Sequence, residues 1–169
     1  MAIPTSNEIY TADGILEILS TVSDPEIPVI SIYDLGIIRG IDVSGIKPVI
    51  AITPTYSGCP AMTMIEVEMR TALLAAGIID FEIKTELFPP WTTDWISEEG
   101  LEKLRKYGIA PPERTSQSKL SLFGKEAEVT CPQCGSALTE IISRFGSTAC
   151  KALYRCLECK EPFDYFKCI

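Results

Sequence analysis

Sulfur carries the chemistry of this chain, which holds seven cysteines and no histidine in 169 residues. Four of the cysteines form two knuckles, Cys131-Pro-Gln-Cys134 and Cys156-Leu-Glu-Cys159. Two residues between cysteines let a tight turn aim both sulfurs at one ion, and a second such pair completes a tetrahedron. Buried structural thiols are the competing reading. A segment of about 45 residues, however, rarely holds itself together without a metal or disulfides. Zinc is expected over iron, because closed four-cysteine knuckles are the standard structural zinc arrangement. Cys150 and Cys168 bear on that choice, because two further thiols near the knuckles could serve an iron-sulfur cluster. Their simpler reading is as small buried hydrophobes in strands.

Cys59 differs in kind. It stands in Ser57-Gly58-Cys59-Pro60, directly before the strongest helical pattern, with Pro60 in its natural first-turn position. The positive end of a helix lowers the pKa of a thiol placed there, so this position predicts a favoured thiolate. The alternative is that Gly58 and Pro60 shape a strand-to-helix turn and the thiol is incidental; the residues alone leave both open. With no histidine, a Cys-His catalytic pair is excluded. Asp24 and Glu26, from Asp24-Pro25-Glu26, and Asp34, from Asp34-Leu35-Gly36, are candidate neighbours. They would raise the thiol's pKa or share a metal with it, unless they are solvated turn formers.

The elements that must position these groups follow from periodicity. Ile15, Ile18, Leu19 and Val22 predict an amphipathic helix over 12–22. Residues 35–43 and 48–54 are rich in isoleucine and valine around Ser44-Gly45, the pattern of an antiparallel pair. Met62, Ile65, Met69, Leu73 and Ala76 place a helix over 61–76, closed by Gly77. Alternation of Phe81, Ile83, Thr85 and Leu87 predicts a half-buried strand. Ser97 is a candidate N-cap for a short helix ending at Gly108, in a segment whose large anchors are Trp91 and Trp95. The polar stretch 113–121 reads as a linker. The predicted class is α+β: an α-β-β-α-β domain over 1–90 with a three-stranded mixed sheet, a helical segment and linker over 91–124, and a small β-rich four-cysteine ribbon over 125–169.

Charge narrows the function. Residues 1–124 hold nine Lys/Arg against 17 Asp/Glu, whereas 125–169 hold six of each. Nucleic-acid binders cluster cations to neutralise phosphates, and the one cluster here is Lys103-Leu-Arg105-Lys106, so no nucleic-acid partner is expected. No apolar run approaches the roughly 20 residues of a membrane span, and no signal peptide opens the chain, which leads us to expect a cytoplasmic protein with no membrane partner. An odd number of cysteines, four of them in knuckles, suits a reducing compartment. Nothing resembles G-x-G-x-x-G or a P-loop, and di-iron Glu-x-x-His pairs are impossible without histidine. Independent catalysis is therefore not expected.

Asp24-Pro25-Glu26, Asp34-Leu35-Gly36-Ile37-Ile38 and Ser57-Gly58-Cys59-Pro60, spread over residues 12–88, resemble the SufT-like domain family linked to iron-sulfur cluster assembly. The downstream PPWTTDWI, GIAPP, CPQCGS, SRFGSTACKALYRC and EPFDYFKC resemble the D-component family of the phenylacetyl-CoA epoxidase (ring 1,2-epoxidase) system. The resemblance implies an accessory protein of aerobic phenylacetate catabolism, distinct from the di-iron catalytic subunit. It implies that Cys59 is the functional thiol, with Asp24, Glu26 and Asp34 in the matching acidic loops, and that a transient iron-sulfur cluster is handled. The expected partners are components of the epoxidase, above all its iron-sulfur reductase. A noncatalytic structural subunit, bound through its acidic face and Trp91/Trp95, is the alternative, and a homodimer through an edge strand is left open.

Overall fold

The structure, a computed structural model, describes residues 11–112 and 129–167. The predicted linker over 113–121 and Cys168 lie outside these residues. The chain divides into two compact units, Met1–Trp91 and Thr92–Ile169.

In the first unit, helix α1 (Ala12–Ser20) starts where Thr11 Oγ1 accepts the Gly14 N–H at 3.0 Å, satisfying one of the donors that a helix start leaves unpaired. Ile15 and Leu19, one turn apart, form its buried face. Strands β1 (Ile38–Asp42) and β2 (Val49–Ile52) pair antiparallel, and β2 pairs with β3 (Glu82–Thr85) in parallel, giving the order β1-β2-β3. A parallel neighbour requires a crossover, and helix α2 (Ala61–Ala75) supplies it. Ala61, Ile65, Met69 and Leu73 recur every four residues on its buried face, and Gly77 ends the region with φ 87°, in the left-handed conformation that glycine adopts without strain. Ile50 and Ile52 of β2 complete this core from the sheet. Burying each such side chain stabilises the unit by about 1.5–3 kcal/mol.

Three details depart from the periodicity. Leu35 and Ile37, predicted as strand, are buried in a turn that precedes β1, where Gly36 takes φ 66°. Helix α1 stops two residues early, because Val22 N–H and C=O turn away to bond Leu19 and Ile32. Leu87 is 61% exposed and β3 ends at Thr85, since an edge strand is covered on one side only.

The second unit opens with a 3-10 turn at Thr93–Trp95 and helix α3 (Glu98–Tyr107). Ser97 Oγ accepts the Gly100 N–H at 2.9 Å and Gly108 ends the helix at φ 91°, as its sequence predicts. Glu98 and Glu99 in the first turn, with Arg105 and Lys106 in the last, complement the helix dipole. Strands β4 (Ile109–Ala110), β5 (Thr139–Ser143), β6 (Lys151–Cys156) and β7 (Pro162–Phe166) form one sheet in the order β4-β7-β6-β5. The two residues of β4, too few to show a period, tie the end of α3 to the ribbon by parallel pairing with β7. Ala110, Val129, Cys131, Cys156 and Phe163 make the core, flanked by Tyr154 and Tyr165. Among the described residues no helix is long and apolar enough to cross a membrane.

Candidate metal centre and candidate functional thiol

The two knuckles are built alike. Cys131 N–H bonds Ser136 O at 2.9 Å and Cys156 N–H bonds Glu161 O at 3.0 Å, each reaching five residues forward. The residue after the second cysteine of each knuckle takes positive φ: Gly135 at 77° and Lys160 at 65°. Folding each knuckle this way buries its first cysteine and leaves its second exposed. The four Sγ atoms lie within 4.8 Å of one another. Cys131 Sγ stands 3.8 Å from Cys159 Sγ, and Cys134 Sγ 3.5 Å from Cys156 Sγ. Disulfide sulfurs sit at about 2.05 Å, so these are not disulfides. A tetrahedral ion with metal–sulfur bonds of about 2.3 Å requires sulfur–sulfur edges of about 3.8 Å, and the cluster fits it.

Charge within the cluster points the same way. Burial opposes ionisation of Cys156 most, yet N–H groups of Cys159 and Glu158 and the neighbouring Cys134 and Cys159 thiols bring its pKa down to about 6. Cys159 accepts the Glu161 N–H, but burial and the three other cysteines push it up to about 12. Cys134 accepts the Ser136 N–H and is nevertheless raised, chiefly by Cys156. The thiolate is thus favoured at Cys156 and disfavoured at Cys134 and Cys159, where a bound cation would offset the crowding of negative charge. Cys150 is buried and its sulfur lies 3.0 Å from Thr148 Oγ1; it is not among the four clustered sulfurs.

Cys59 lies in the loop that connects β2 to α2, two residues before the helix begins. Cys59 N–H bonds Tyr56 O at 3.2 Å and closes a turn over residues 56–59. Gly58, third in that turn, has φ 92°, the value a type II turn requires of glycine. The thiol is half-buried, and its pKa is raised rather than lowered. Burial is the first cause; the Ala61 N–H at the helix start and the Tyr56 hydroxyl act against it, and the charges of Glu26 and Asp24 add to it. The expectation of a favoured thiolate is therefore corrected. The helix start does contribute its donor, but burial outweighs it.

The charges of Glu26 and Asp24 bear on the thiol, one of the roles the sequence leaves open for them. Asp24 is also a loop-former, its Oδ1 accepting N–H bonds from Glu26 at 2.8 Å and Ile27 at 2.9 Å. Asp34, 3% exposed, accepts bonds from Ser31 N–H at 3.1 Å and Ser31 Oγ at 2.9 Å, and so shapes the loop before β1. Sequence reasoning missed Thr53 and Tyr56. Thr53, 1% exposed, has a hydroxyl with no hydrogen-bond partner among the described residues, at the start of the loop that ends in Cys59. A polar residue capping an isoleucine-rich strand was the available signal. Because Glu26 repels the thiolate, Glu26→Gln is expected to lower the Cys59 pKa. Alkylation of Cys59 followed against pH should then accelerate at neutral pH with its high-pH plateau unchanged.

Comparison with known proteins agrees with this geometry in both units. Residues 12–78 match the iron-sulfur cluster assembly protein family, and residues 115–167 match the PaaD zinc beta ribbon domain. The fold and site thus define an iron-sulfur assembly domain followed by a four-cysteine ribbon. The chain belongs to the PaaD family: it is 47% identical over 170 residues to an Escherichia coli protein named for the D component of 1,2-phenylacetyl-CoA epoxidase, covering 100% of this chain and 96% of that one. A Porphyromonas gingivalis protein named Fe-S protein maturation auxiliary factor is 36% identical over 98 residues, covering 57% of this chain and 92% of its own. The crystal structure of a DUF59 domain of unknown function from Bacillus anthracis superposes with a TM-score of 0.50 at 25% identity, over 55% of this chain and 90% of that one. By family naming this is an accessory subunit of phenylacetate catabolism.

Proposed function

We propose that the protein assists iron-sulfur cluster maturation of the epoxidase system's reductase, with the front domain (1–90) handling the cluster through Cys59. The ribbon (125–169) holds zinc on Cys131, Cys134, Cys156 and Cys159 and docks the client. The observation that carries this reading is the setting of Cys59: a half-buried thiol with a raised pKa beside Asp24 and Glu26. A thiol that a proton competes for is a releasable ligand. Cluster iron displaces the proton as the iron–sulfur bond forms, and the proton returns to Cys59 when a client cysteine thiolate replaces it at the iron. Ligand exchange of this kind changes no oxidation state. The setting is a reducing one, in the cytoplasm.

The test uses the purified full chain, loaded anaerobically with iron and sulfide and mixed with cluster-free reductase. Transfer of the cluster's visible absorption to the reductase is expected from the parent chain and not from Cys59→Ser. Equal transfer from both would refute the role of Cys59. A second reading, a noncatalytic structural subunit, draws on the name of the 47% identical relative. Trp91 cannot serve it as a docking anchor: it is 5% exposed, and its Nε1–H is spent on Leu35 O at 2.7 Å. A lasting stoichiometric complex with the epoxidase core, at undiminished cluster content in the reductase, would favour that reading.

A further inference from the structure

Helix α2 carries a second apolar face. Met64, Val67 and Leu74 are half-exposed, and with exposed Thr71 and Ala75 they recur at steps of three and four residues. At about 100° per residue they form one stripe, about half a turn round from the Ala61, Ile65, Met69 and Leu73 face that packs into the core. The stripe runs for about 15 Å, starting in the first turn of the helix that Cys59 precedes. Thr71 Oγ1 donates to Val67 O at 2.8 Å, so its hydroxyl proton is already satisfied and can be covered without leaving a bond unmade.

Charge decides what can cover this face. Met1–Trp91 holds four Lys/Arg against 12 Asp/Glu, whereas Thr92–Ile169 holds 11 of each, so the chain's entire net charge of -8 belongs to the first unit. Glu68 stands beside the stripe, four residues from Met64 and three from Thr71. Arg70, the helix's one basic residue, is drawn over the Phe81 ring at 5.8 Å. A second copy of the chain would bring a like charge against this face and be repelled. A partner with cations around an apolar centre would be attracted.

We infer that the outer face of α2 docks the client protein that accepts the cluster, through a client surface with an apolar centre and a rim of Lys and Arg. This rests on the reading of Cys59 as the cluster-handling thiol and deepens it. Ligand exchange brings the client's cysteines to the iron, hence to the start of α2, and the stripe is the surface they meet next along that helix. The contact is additional to the one the ribbon makes.

The test is the dissociation constant of the full metal-loaded chain for cluster-free reductase, titrated at low and at raised salt. Val67→Glu and Val67→Lys each set a charge in the apolar centre at an exposed position, and both residues are good helix formers. Both variants are expected to bind at least roughly ten-fold more weakly than the parent, Val67→Lys the weaker of the two, and parent binding should weaken as salt rises. Parent-like affinity in both variants overturns the proposal, as does a parent that does not bind, or Val67→Glu binding more weakly than Val67→Lys. A parent that sediments as a dimer and a Val67→Glu variant that sediments as a monomer would put a second copy on the stripe and overturn it too. Should the Val67 variants fold poorly by circular dichroism, Leu74→Glu and Leu74→Lys supply the same comparison further along the stripe. Cys59→Ser leaves the stripe intact, so the two claims fall separately: transfer that survives Cys59→Ser removes the role of the thiol, and binding that survives both Val67 variants removes the docking face.

Discussion

Cys156→Ser is expected to unfold the ribbon and leave the front domain folded. Cys156 is fully buried, belongs to the ribbon's core, and holds the sulfur nearest to a thiolate before any metal arrives. Among the described residues the cluster around Cys156 holds Ala110, Val129 and Phe163, with Tyr154 and Tyr165 packed against it. A structural four-thiolate ion, whose binding is worth about 10–16 kcal/mol in small metal-folded domains, is the largest single contribution such a ribbon can have, against about 1.5–3 kcal/mol for each large apolar side chain buried. Removing one of four ligands leaves a remainder comparable to the cost of ordering the knuckles. Metal per chain should fall from one to near zero, and limited proteolysis should open the second unit while the first keeps its melting temperature. A strong chelator, or acid that returns protons to the thiolates, should do the same to the parent chain. Exposed Cys134, replaced by serine, should weaken metal binding less severely.

Cys59→Ser is expected to have the opposite profile, an intact fold and a lost function. The side chain is half-buried in a turn fixed by Gly58 and by the backbone bond from Cys59 to Tyr56, none of which needs sulfur. Stability should change by less than about 1 kcal/mol. Serine is not ionised at neutral pH and is a hard ligand, unsuited to iron-sulfur chemistry, so cluster handling should cease. Phenylacetate-dependent growth of cells relying on this variant should slow by roughly ten-fold or more, whereas Cys150→Ser, in a thiol outside the four-sulfur cluster, should grow as the parent does.

How far the sequence foretold all this varies with the kind of signal. The knuckles were fully legible, since spacing alone dictates that two tight turns aim four sulfurs at one point. Helices α2 and α3 were legible because their periodicity and their Gly77 and Gly108 stops agree. Strand β4 was not, because two residues in parallel pairing owe their state to β7 rather than to themselves. The ionisation of Cys59 was misjudged for a related reason. A helix start can be read locally, but burial and the charges of Glu26 and Asp24 come from residues more than 30 positions away, and only the fold brings them to the sulfur. Asp34 shows the limit from the other side: its position beside glycine and leucine marks a turn, and its bonds to Ser31 build that turn.

If Cys59 serves cluster maturation of a client, as proposed, the ribbon cysteines do not substitute for it. Iron and acid-labile sulfide per polypeptide can be measured on epoxidase reductase purified from cells carrying either the parent chain or Cys59→Ser. The reductase from Cys59→Ser cells is expected to be largely cluster-free at normal protein level; a reductase equally rich in iron and sulfide from both would contradict a role for Cys59.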